Sequence, residues 1–276
     1  MLARRAWLLT TTAAVLSLTA CASRPTVDSG PSPGSVSTSR LPGDPVPRQD
    51  PRSRYGNGPY YEVFGQTYKV LDTSYGYQER GVASWYGKKF HGRMTSSQEP
   101  YDMYAMTAAH KSLPLPTYVR VRNLKNNRSI IVRVNDRGPF VDNRLIDLSY
   151  AAAMKLDMVR DGTSLVEVTA ISFDEASPEA RRVSTQPRQS PPLPVAVSGA
   201  DVFVQVGAFG DVDNAKRRYR MLRDGGVGPL IVHEDKSAAQ TLYRIRIGPI
   251  ADATEYDSIV ARLQRLGITE SHLVTT

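Results

Sequence analysis

Groups able to move protons are concentrated between positions 81 and 156 of the sequence. Glu99 lies in a polar loop, Asp136 ends a strongly apolar run that has the character of a strand, and His110 follows two alanines. Carboxyl and imidazole groups are the side chains that most often act as general acids and bases. This stretch is therefore the part of the chain where we expect acid–base chemistry, with Glu99, Asp136 and His110 as candidate catalytic residues.

Residue type alone leaves other roles open for each of these groups. A surface glutamate is the simpler account of Glu99, and Asp136 also fits a structural aspartate that caps a turn or pairs with Arg137. His110 fits a hydrogen bond to one of the acids, a contact with substrate, or a buried structural role. Asp147 is a third acid, and its place before an alanine-rich helix favours N-capping.

Other polar and aromatic residues of the stretch are predicted to have supporting roles. His91 stands between Phe90 and Gly92 and is expected in a turn. Trp85 and Tyr86 are neighbours in a predicted strand, so their side chains point to opposite faces and at most one faces a binding groove.

No metal or cofactor is expected. The four histidines are scattered, the chain has a single cysteine, and neither a phosphate-binding loop nor a dinucleotide fingerprint is present.

Short strands dominate the elements that must position these residues. Apolar residues alternate over 119–124 and resume over 130–134, and the asparagine-rich segment 125–127 between them predicts a hairpin. Residues 165–170 predict a further strand, and 149–156 an alanine-rich helix capped by Asp147 or Ser149. Many short strands with few helices in about a hundred residues indicate a small closed barrel.

The N-terminus determines where the protein is expected to reside. Two arginines precede an apolar run over 6–18, which is too short to span a bilayer, and the run ends Leu-Thr-Ala-Cys at Cys21. This ending resembles the lipobox of bacterial lipoproteins. The resemblance implies a signal peptide over 1–20, lipidation of Cys21 and, because Ala22 follows, an outer-membrane lipoprotein facing the periplasm. The alternative is an ordinary secreted protein with a stray cysteine.

Two segments are predicted to be disordered linkers. Residues 21–58 are rich in proline, serine, glycine and arginine and are interpreted as a tether. Residues 173–197 form a second, proline-rich linker. Residues 60–77 carry many tyrosines and are expected to pack as an arm on the barrel.

A second domain is predicted at 198–276. Strands are expected at 202–209, 230–232, 242–247 and 271–275, with helices at 213–224 and 253–266. A weak internal repeat relates 204–209 to 245–250. Two strand–helix–strand halves predict a ferredoxin-like sheet in the order βαββαβ, with both helices on one face.

Overall charge agrees with a polyanionic partner without identifying it. The chain has 276 residues, a formal net charge of +8 and a pI of about 9.6. A basic surface attracts nucleic acid, anionic lipid or anionic cell-wall polymer, although a merely solvated basic surface is equally consistent. Export makes nucleic acid the least expected of these partners.

The region 59–172 closely resembles the rare lipoprotein A family, septal lytic transglycosylases of the bacterial cell wall. The resemblance implies a six-stranded double-psi β-barrel in which Glu99 and Asp136 match active-site acids. Residues 93–94 and 96–98 depart from the family pattern, and the glycine usual before Glu99 is replaced by Gln98. The motifs that carry the resemblance are GVASWYG (81–87), FHG (90–92), Thr95, EPYD (99–102), AMTAAH (105–110), VNDRGPF (134–140) and IDLS (146–149).

The C-terminal domain resembles the SPOR domain, which binds glycan strands stripped of stem peptides at division septa. By that resemblance, the glycan-binding face would carry Gln205, Gly207, Phe209, Arg244 and Arg246. The alternative places Phe209 in the core and the arginines at a solvated edge.

Together these resemblances predict a lytic transglycosylase. Such an enzyme would cleave denuded peptidoglycan between N-acetylmuramic acid (MurNAc) and N-acetylglucosamine (GlcNAc), leave 1,6-anhydro-MurNAc ends, and be enriched at the division septum. Expected partners are glycan strands and the outer membrane, with divisome proteins as an open class. The rival hypotheses are a non-catalytic, expansin-like wall-binding protein and a divisome scaffold.

Overall fold

The computed structural model describes residues 30–31, 41–173, 201–236 and 241–275. The predicted signal peptide, Cys21 and all but the first residue of the proline-rich linker lie outside the described residues. No helix among the described residues is long and apolar enough to cross a membrane.

A tyrosine-rich hairpin precedes the barrel and packs on it, as the sequence predicts. It consists of β1 (Tyr60–Val63) and β2 (Gln66–Lys69), which pair antiparallel. Tyr61 and Tyr68 stack with ring centroids 5.2 Å apart, and both rings contact Phe140 of the barrel. The Tyr61 hydroxyl donates to the Lys111 carbonyl at 2.8 Å.

Six strands close into a barrel, which confirms the predicted fold. The predicted hairpin is present, because β5 and β6 pair antiparallel across the asparagine-rich turn. Around the barrel the strand order is β3-β7-β4-β6-β5-β8. The strands are β3 (Gln78–Tyr86), β4 (Thr107–His110), β5 (Thr117–Asn123), β6 (Ser129–Asp136), β7 (Ile146–Ser149) and β8 (Ser164–Ala170).

Alternation along the strands fills the barrel interior with branched aliphatic residues. Val119 and Val121 on β5 and Val132 and Val134 on β6 are fully buried in one core cluster. Residues between them point to the outer face, where the polar side chains of the barrel lie.

The helix α1 (Tyr150–Lys155) resolves the question of its cap. The Ser149 side chain accepts from the Ala152 backbone N–H, so Ser149 is the N-cap. Asp147 instead lies within β7, three residues before the first residue of the helix.

Residues 41–58 correct the predicted extent of the tether, because they lie against the barrel. The Asp44 carboxylate accepts from the Ile131 backbone N–H at 2.8 Å and from Lys155 at 2.9 Å. The Asn57 side chain accepts from the Leu115 backbone N–H at 2.8 Å. Composition alone does not reveal such binding. Residues 41–58 have no hydrophobic core of their own and are held by a few polar contacts to the surface of the barrel. We call residues 41–58 the strap.

The C-terminal domain is the predicted ferredoxin-like sheet. Its sheet order is β10-β11-β9-β12, and every neighbouring pair is antiparallel. The helix α2 begins after the N-cap Asp211 and is followed by the C-cap Gly225, and α3 begins after the N-cap Asp252. The elements are β9 (Val202–Phe209), α2 (Val212–Asp224), β10 (Leu230–Asp235), β11 (Leu242–Ile247), α3 (Ala253–Arg265) and β12 (His272–Thr275).

The two domains meet beside β3. Val82, Leu124 and Leu165 of the barrel are buried in the same cluster as the C-terminal core. The Arg144 guanidinium donates two bonds of 2.9 Å to the Asp257 carboxylate on α3.

Candidate functional site

The loop between β3 and β4 brings the two family acids to the same side of the barrel. Met94 and Pro100 pair as an isolated bridge, and the Thr95 backbone N–H donates to the Glu99 carbonyl at 2.8 Å. Gln98 adopts a left-handed conformation with φ +66°. The residue that replaces the family glycine therefore takes a backbone conformation that favours glycine, and the tight turn before Glu99 is kept.

Glu99 is held by a cationic clamp from β6. The Arg133 Nη1 donates to both carboxylate oxygens at 2.9 and 2.7 Å, and the Asn135 Nδ2 donates to Oε2 at 2.8 Å. Burial raises the pKa of Glu99, but these hydrogen bonds and the Arg133 charge outweigh it and hold the pKa below its usual range. Glu99 is therefore a fixed negative charge at neutral pH.

Asp136 is aimed outward by a β-bulge. The register of β4 and β6 shifts between Ala108 and Ala109, so that Ala109 pairs with Asp136 instead of Asn135. A bulge re-aims the following side chain, which places Asp136 on the face that carries Arg133. Its Oδ1 accepts from Ser96 N at 2.8 Å, from Ser96 Oγ at 2.7 Å and from its neighbour's backbone N–H at 2.7 Å. The loop that carries Glu99 therefore also fixes Asp136.

Arg137 does not form the structural ion pair with Asp136 that the sequence left open. Its guanidinium is buried and turned away, where it donates to the Gly56 carbonyl at 2.6 and 2.9 Å and to the Leu113 carbonyl at 2.6 Å. The guanidinium of Arg137 is therefore bound by the strap and by the segment after β4. The Asp136 carboxylate faces outward and forms no ion pair with it.

Of the three roles that the sequence left open for His110, the contacts in the structure fit the buried structural one. The ring is 2% exposed, its Nδ1 accepts from the backbone N–H groups of Ser112 and Leu113, and its Nε2 lies 2.8 Å from the Tyr77 hydroxyl. Burial, aided by Arg137, lowers the pKa of His110 to about 3, so the ring is neutral. Strand alternation is the reason, because His110 follows outward-facing Ala109 and so points to the opposite face.

Asp147 lies closer to the candidate site than its predicted capping role implies. Its carboxylate accepts a hydrogen bond from Ser84 Oγ on the neighbouring strand. Burial raises the pKa of Asp147, and the negative charge of Asp136 adds to the effect. Sequence reasoning gave it a lower rank because a nearby helix start offered a sufficient explanation.

Trp85 and Tyr86 point to opposite faces, as predicted. Trp85 packs against the barrel core and Tyr150. Tyr86 stacks on Tyr101 with centroids 4.1 Å apart, and its buried hydroxyl has no hydrogen-bond partner among the described residues. His91 lies in a turn, where its Nδ1 accepts from the Met103 backbone N–H at 3.2 Å.

The five predicted glycan-binding residues divide between two faces of the C-terminal sheet. Gln205 and Arg246 are paired across β9 and β11, with the Arg246 Nε 3.4 Å from the Gln205 Oε1. Gln205 is itself buried, and its Nε2 lies 3.2 Å from the Nε2 of His272, a neighbour that sequence reasoning missed. Arg244 is paired with Asp235 through bonds of 3.0 and 2.8 Å.

Gly207 and Phe209 lie on the side of the sheet that faces the helices, and not on the predicted glycan-binding face. A register shift at Ile245 pairs Gly207 with a core residue, and Phe209 packs against the core cluster beneath Arg218 of α2, whose guanidinium lies 5.9 Å from the ring centroid. A Cβ on Gly207 would lie 2.7 Å from the Phe209 ring, which explains the glycine. The bulge interrupts the simple alternation on which the prediction depended.

Comparison with known proteins agrees with this architecture. Residues 78–168 match the family model described as "Lytic transglycolase", and residues 198–274 match that of the SPOR domain. The protein named endolytic peptidoglycan transglycosylase RlpA in Pseudomonas aeruginosa strain UCBPP-PA14 is 39% identical over 263 residues, which span 80% of this chain and 76% of that protein. The chain belongs to the RlpA family.

Further members of the family show the same relationship. The Vibrio cholerae protein of the same name is 36% identical over 233 residues, covering 84% of this chain and 82% of that protein. The crystal structure of the RlpA SPOR domain from Pseudomonas aeruginosa matches 27% of this chain and 99% of that domain, at 27% identity and a TM-score of 0.26. The two family-model matches show that a lytic transglycosylase barrel and a SPOR domain are joined in this chain, as the sequence resemblance predicts.

Proposed function

We propose that this protein is an endolytic transglycosylase of peptidoglycan that cleaves strands stripped of stem peptides between MurNAc and GlcNAc. The supporting observation is that a single loop holds both acids in position. One loop carries Glu99 into the Arg133 clamp and donates two hydrogen bonds from Ser96 to Asp136. Two carboxyl groups fixed on one outer face suit a long polymer, because a strand can lie across an open surface.

Cleavage requires a proton for the leaving glycosidic oxygen and stabilisation of positive charge at the anomeric carbon. In a lytic transglycosylase the muramic 6-hydroxyl attacks that carbon, so the product ends in 1,6-anhydro-MurNAc and no water is consumed. Clamped Glu99 would supply permanent negative charge beside the site, and Asp136 would face the sugar ring. His110 acts as a positioning residue, because its carbonyl helps to hold Arg137, whose backbone N–H binds Asp136.

Location follows from the remaining parts of the chain. We propose that Cys21 is lipidated, that the protein is an outer-membrane lipoprotein facing the periplasm, and that the SPOR domain enriches it at the septum. Connecting a glycan-binding module to a catalytic one raises the effective substrate concentration without any new contact in the active site.

The test uses the chain lacking residues 1–21 on amidase-treated peptidoglycan, with products identified by mass spectrometry. We expect fragments ending in 1,6-anhydro-MurNAc, and we expect Glu99→Gln and Asp136→Asn each to reduce their release by about 100-fold or more. Asp157→Asn, at an exposed position after α1, serves as the matched control. Wild-type protein that binds the wall but releases nothing would favour the expansin-like alternative.

A further inference from the structure

Asp147 shares a cross-strand row with Asp136. The register pairs Ser84 with Asp147, Asp147 with Ala109, and Ala109 with Asp136, across four neighbouring strands of the barrel. Residues in one row point to the same face, and strands lie about 4.8 Å apart. The two aspartates are therefore separated by a single alanine on the face that carries the candidate site.

The surroundings of Asp147 differ from those of Glu99. Among the described residues Asp147 forms no ion pair, and its hydrogen bond comes from a neutral hydroxyl, Ser84 Oγ. The two nearby cations are engaged elsewhere: Arg144 binds Asp257, and the Lys111 Nζ donates to the Arg144 carbonyl at 2.8 Å. The Asp147 residue nevertheless remains partly accessible to solvent.

The charged groups around Asp147 act in both directions. Burial raises the pKa of Asp147, and the charge of Asp136 on β6 adds to it. Ser84 on β3, Arg144 before β7 and Lys111 after β4 lower this pKa, and the net shift is upward. The titratable hydroxyl of Tyr86 also faces both aspartates, whose charges add to burial and to Tyr101 in raising its pKa. Two carboxyl groups whose surroundings favour opposite protonation states are typical of an acid–base site.

We propose that Asp147 is the catalytic proton donor of this site, which it shares with the two acids Glu99 and Asp136. This inference rests on the proposed transglycosylase function. In the step, the bond between MurNAc C1 and the GlcNAc O4 breaks, and O4 takes the Asp147 proton. The MurNAc O6 forms the new bond to C1, and its proton passes to the Asp147 carboxylate, which restores the acid without any co-reactant.

A purely structural Asp147 would bind Ser84 and stabilise the junction of β3 and β7 without titrating during turnover. Two variants separate these roles. We expect Asp147→Asn to fold, to keep binding glycan, and to lose about 10²- to 10⁴-fold in kcat. The control Asp142→Asn, an exposed acid five residues earlier, should leave kcat unchanged.

Ser84→Ala provides the readout that a structural role would not move. Loss of the Ser84 hydrogen bond destabilises the carboxylate, raises the pKa of Asp147 and keeps the donor protonated to higher pH. The falling, alkaline limb of the kcat/KM profile should therefore move to higher pH. An unmoved limb, or an Asp147→Asn protein that retains wild-type kcat, would overturn the proposal.

Carbon-13 NMR of the Asp147 carboxyl in the chain lacking residues 1–21 tests the same point without turnover. We expect it to titrate above the ordinary range of an aspartate. Titration below that range contradicts the donor role even if Asp147→Asn fails to fold. Loss of activity in Asp136→Asn beside full activity in Asp147→Asn would sink this inference alone, whereas an inactive wild type would sink the proposed function.

Discussion

Glu99 and His110 show how neighbours decide the role of an ionisable residue. Glu99 keeps its charge because Arg133 and Asn135 donate to it from one strand. His110 keeps its proton off Nδ1 because two backbone N–H groups occupy that atom. The neutral ring therefore carries its proton on Nε2, facing Tyr77, whose hydroxyl donates to Glu79 at 2.8 Å. This chain of hydrogen bonds ends away from both family acids.

The buried histidine predicts acid-sensitive stability. Folded His110 has a pKa of about 3, whereas an unfolded chain takes up this proton near pH 6.5. Its stabilising contribution is complete above pH 6.5 and declines by about 1.4 kcal/mol for each pH unit below it. Between pH 8 and pH 5 we expect a loss of about 2 kcal/mol from this residue.

Urea unfolding followed by tryptophan fluorescence measures this loss. Trp85 is the sole tryptophan once residues 1–21 are removed, so the signal reports on the barrel. His110→Gln should be less stable at pH 8 and should lose less stability than wild type on going to pH 5. An equal pH dependence in the two proteins would refute the neutral assignment.

At the scale of elements, the strap helps to hold the side chain that binds Glu99. The Asp50 carboxylate accepts from Arg133 Nε at 3.2 Å and from the Tyr118 hydroxyl at 3.0 Å. Burial raises the pKa of Asp50, but bonds from Arg48, Tyr118 and Arg133 outweigh burial and keep it low. The guanidinium that clamps Glu99 is therefore held from its other side by the strap.

Loss of the contact between the strap and Arg133 should impair catalysis. We expect a chain that begins at residue 41 to be fully active, and Asp50→Asn to lose about tenfold or more in kcat, because Arg133 is freed to move. Asp44→Asn is the matched control, since Asp44 anchors the same strap to Ile131 and Lys155 away from the acids. Equal effects of the two substitutions on kcat would show that the strap acts through stability alone.

Local sequence patterns predicted most helices and strands. Features that depend on residues distant in sequence were not predicted. The hairpin of β5 and β6, the helix α2 and the ferredoxin-like order follow from alternation, an asparagine-rich turn and an internal repeat, which are patterns visible along the sequence. The bulges at Asp136 and Gly207 and the binding of the strap depend on partners distant in sequence. Glu99 and Asp136 were predicted because they match acids of a family motif. The face of the barrel on which His110 lies was not predicted.

At the scale of the whole molecule, the two domains have separable roles in the proposed function. Arg246 and Arg244 lie on the sheet face opposite the helices, and burial together with their mutual repulsion lowers the pKa of Arg246. We expect Arg246→Ala to weaken binding to denuded glycan and to abolish septal enrichment while leaving kcat on soluble strands unchanged. The control Arg217→Ala changes an exposed arginine of α2. Septal enrichment that survives Arg246→Ala would contradict the assignment of this face.

Digestion of amidase-treated peptidoglycan in water enriched in oxygen-18 tests the central claim most directly. A transglycosylase uses the muramic 6-hydroxyl in place of water. We therefore predict anhydro-MurNAc ends that carry no heavy oxygen and that disappear in Asp136→Asn. Reducing MurNAc ends labelled with oxygen-18 would contradict the account, because they would establish a hydrolase that activates water at the same two acids.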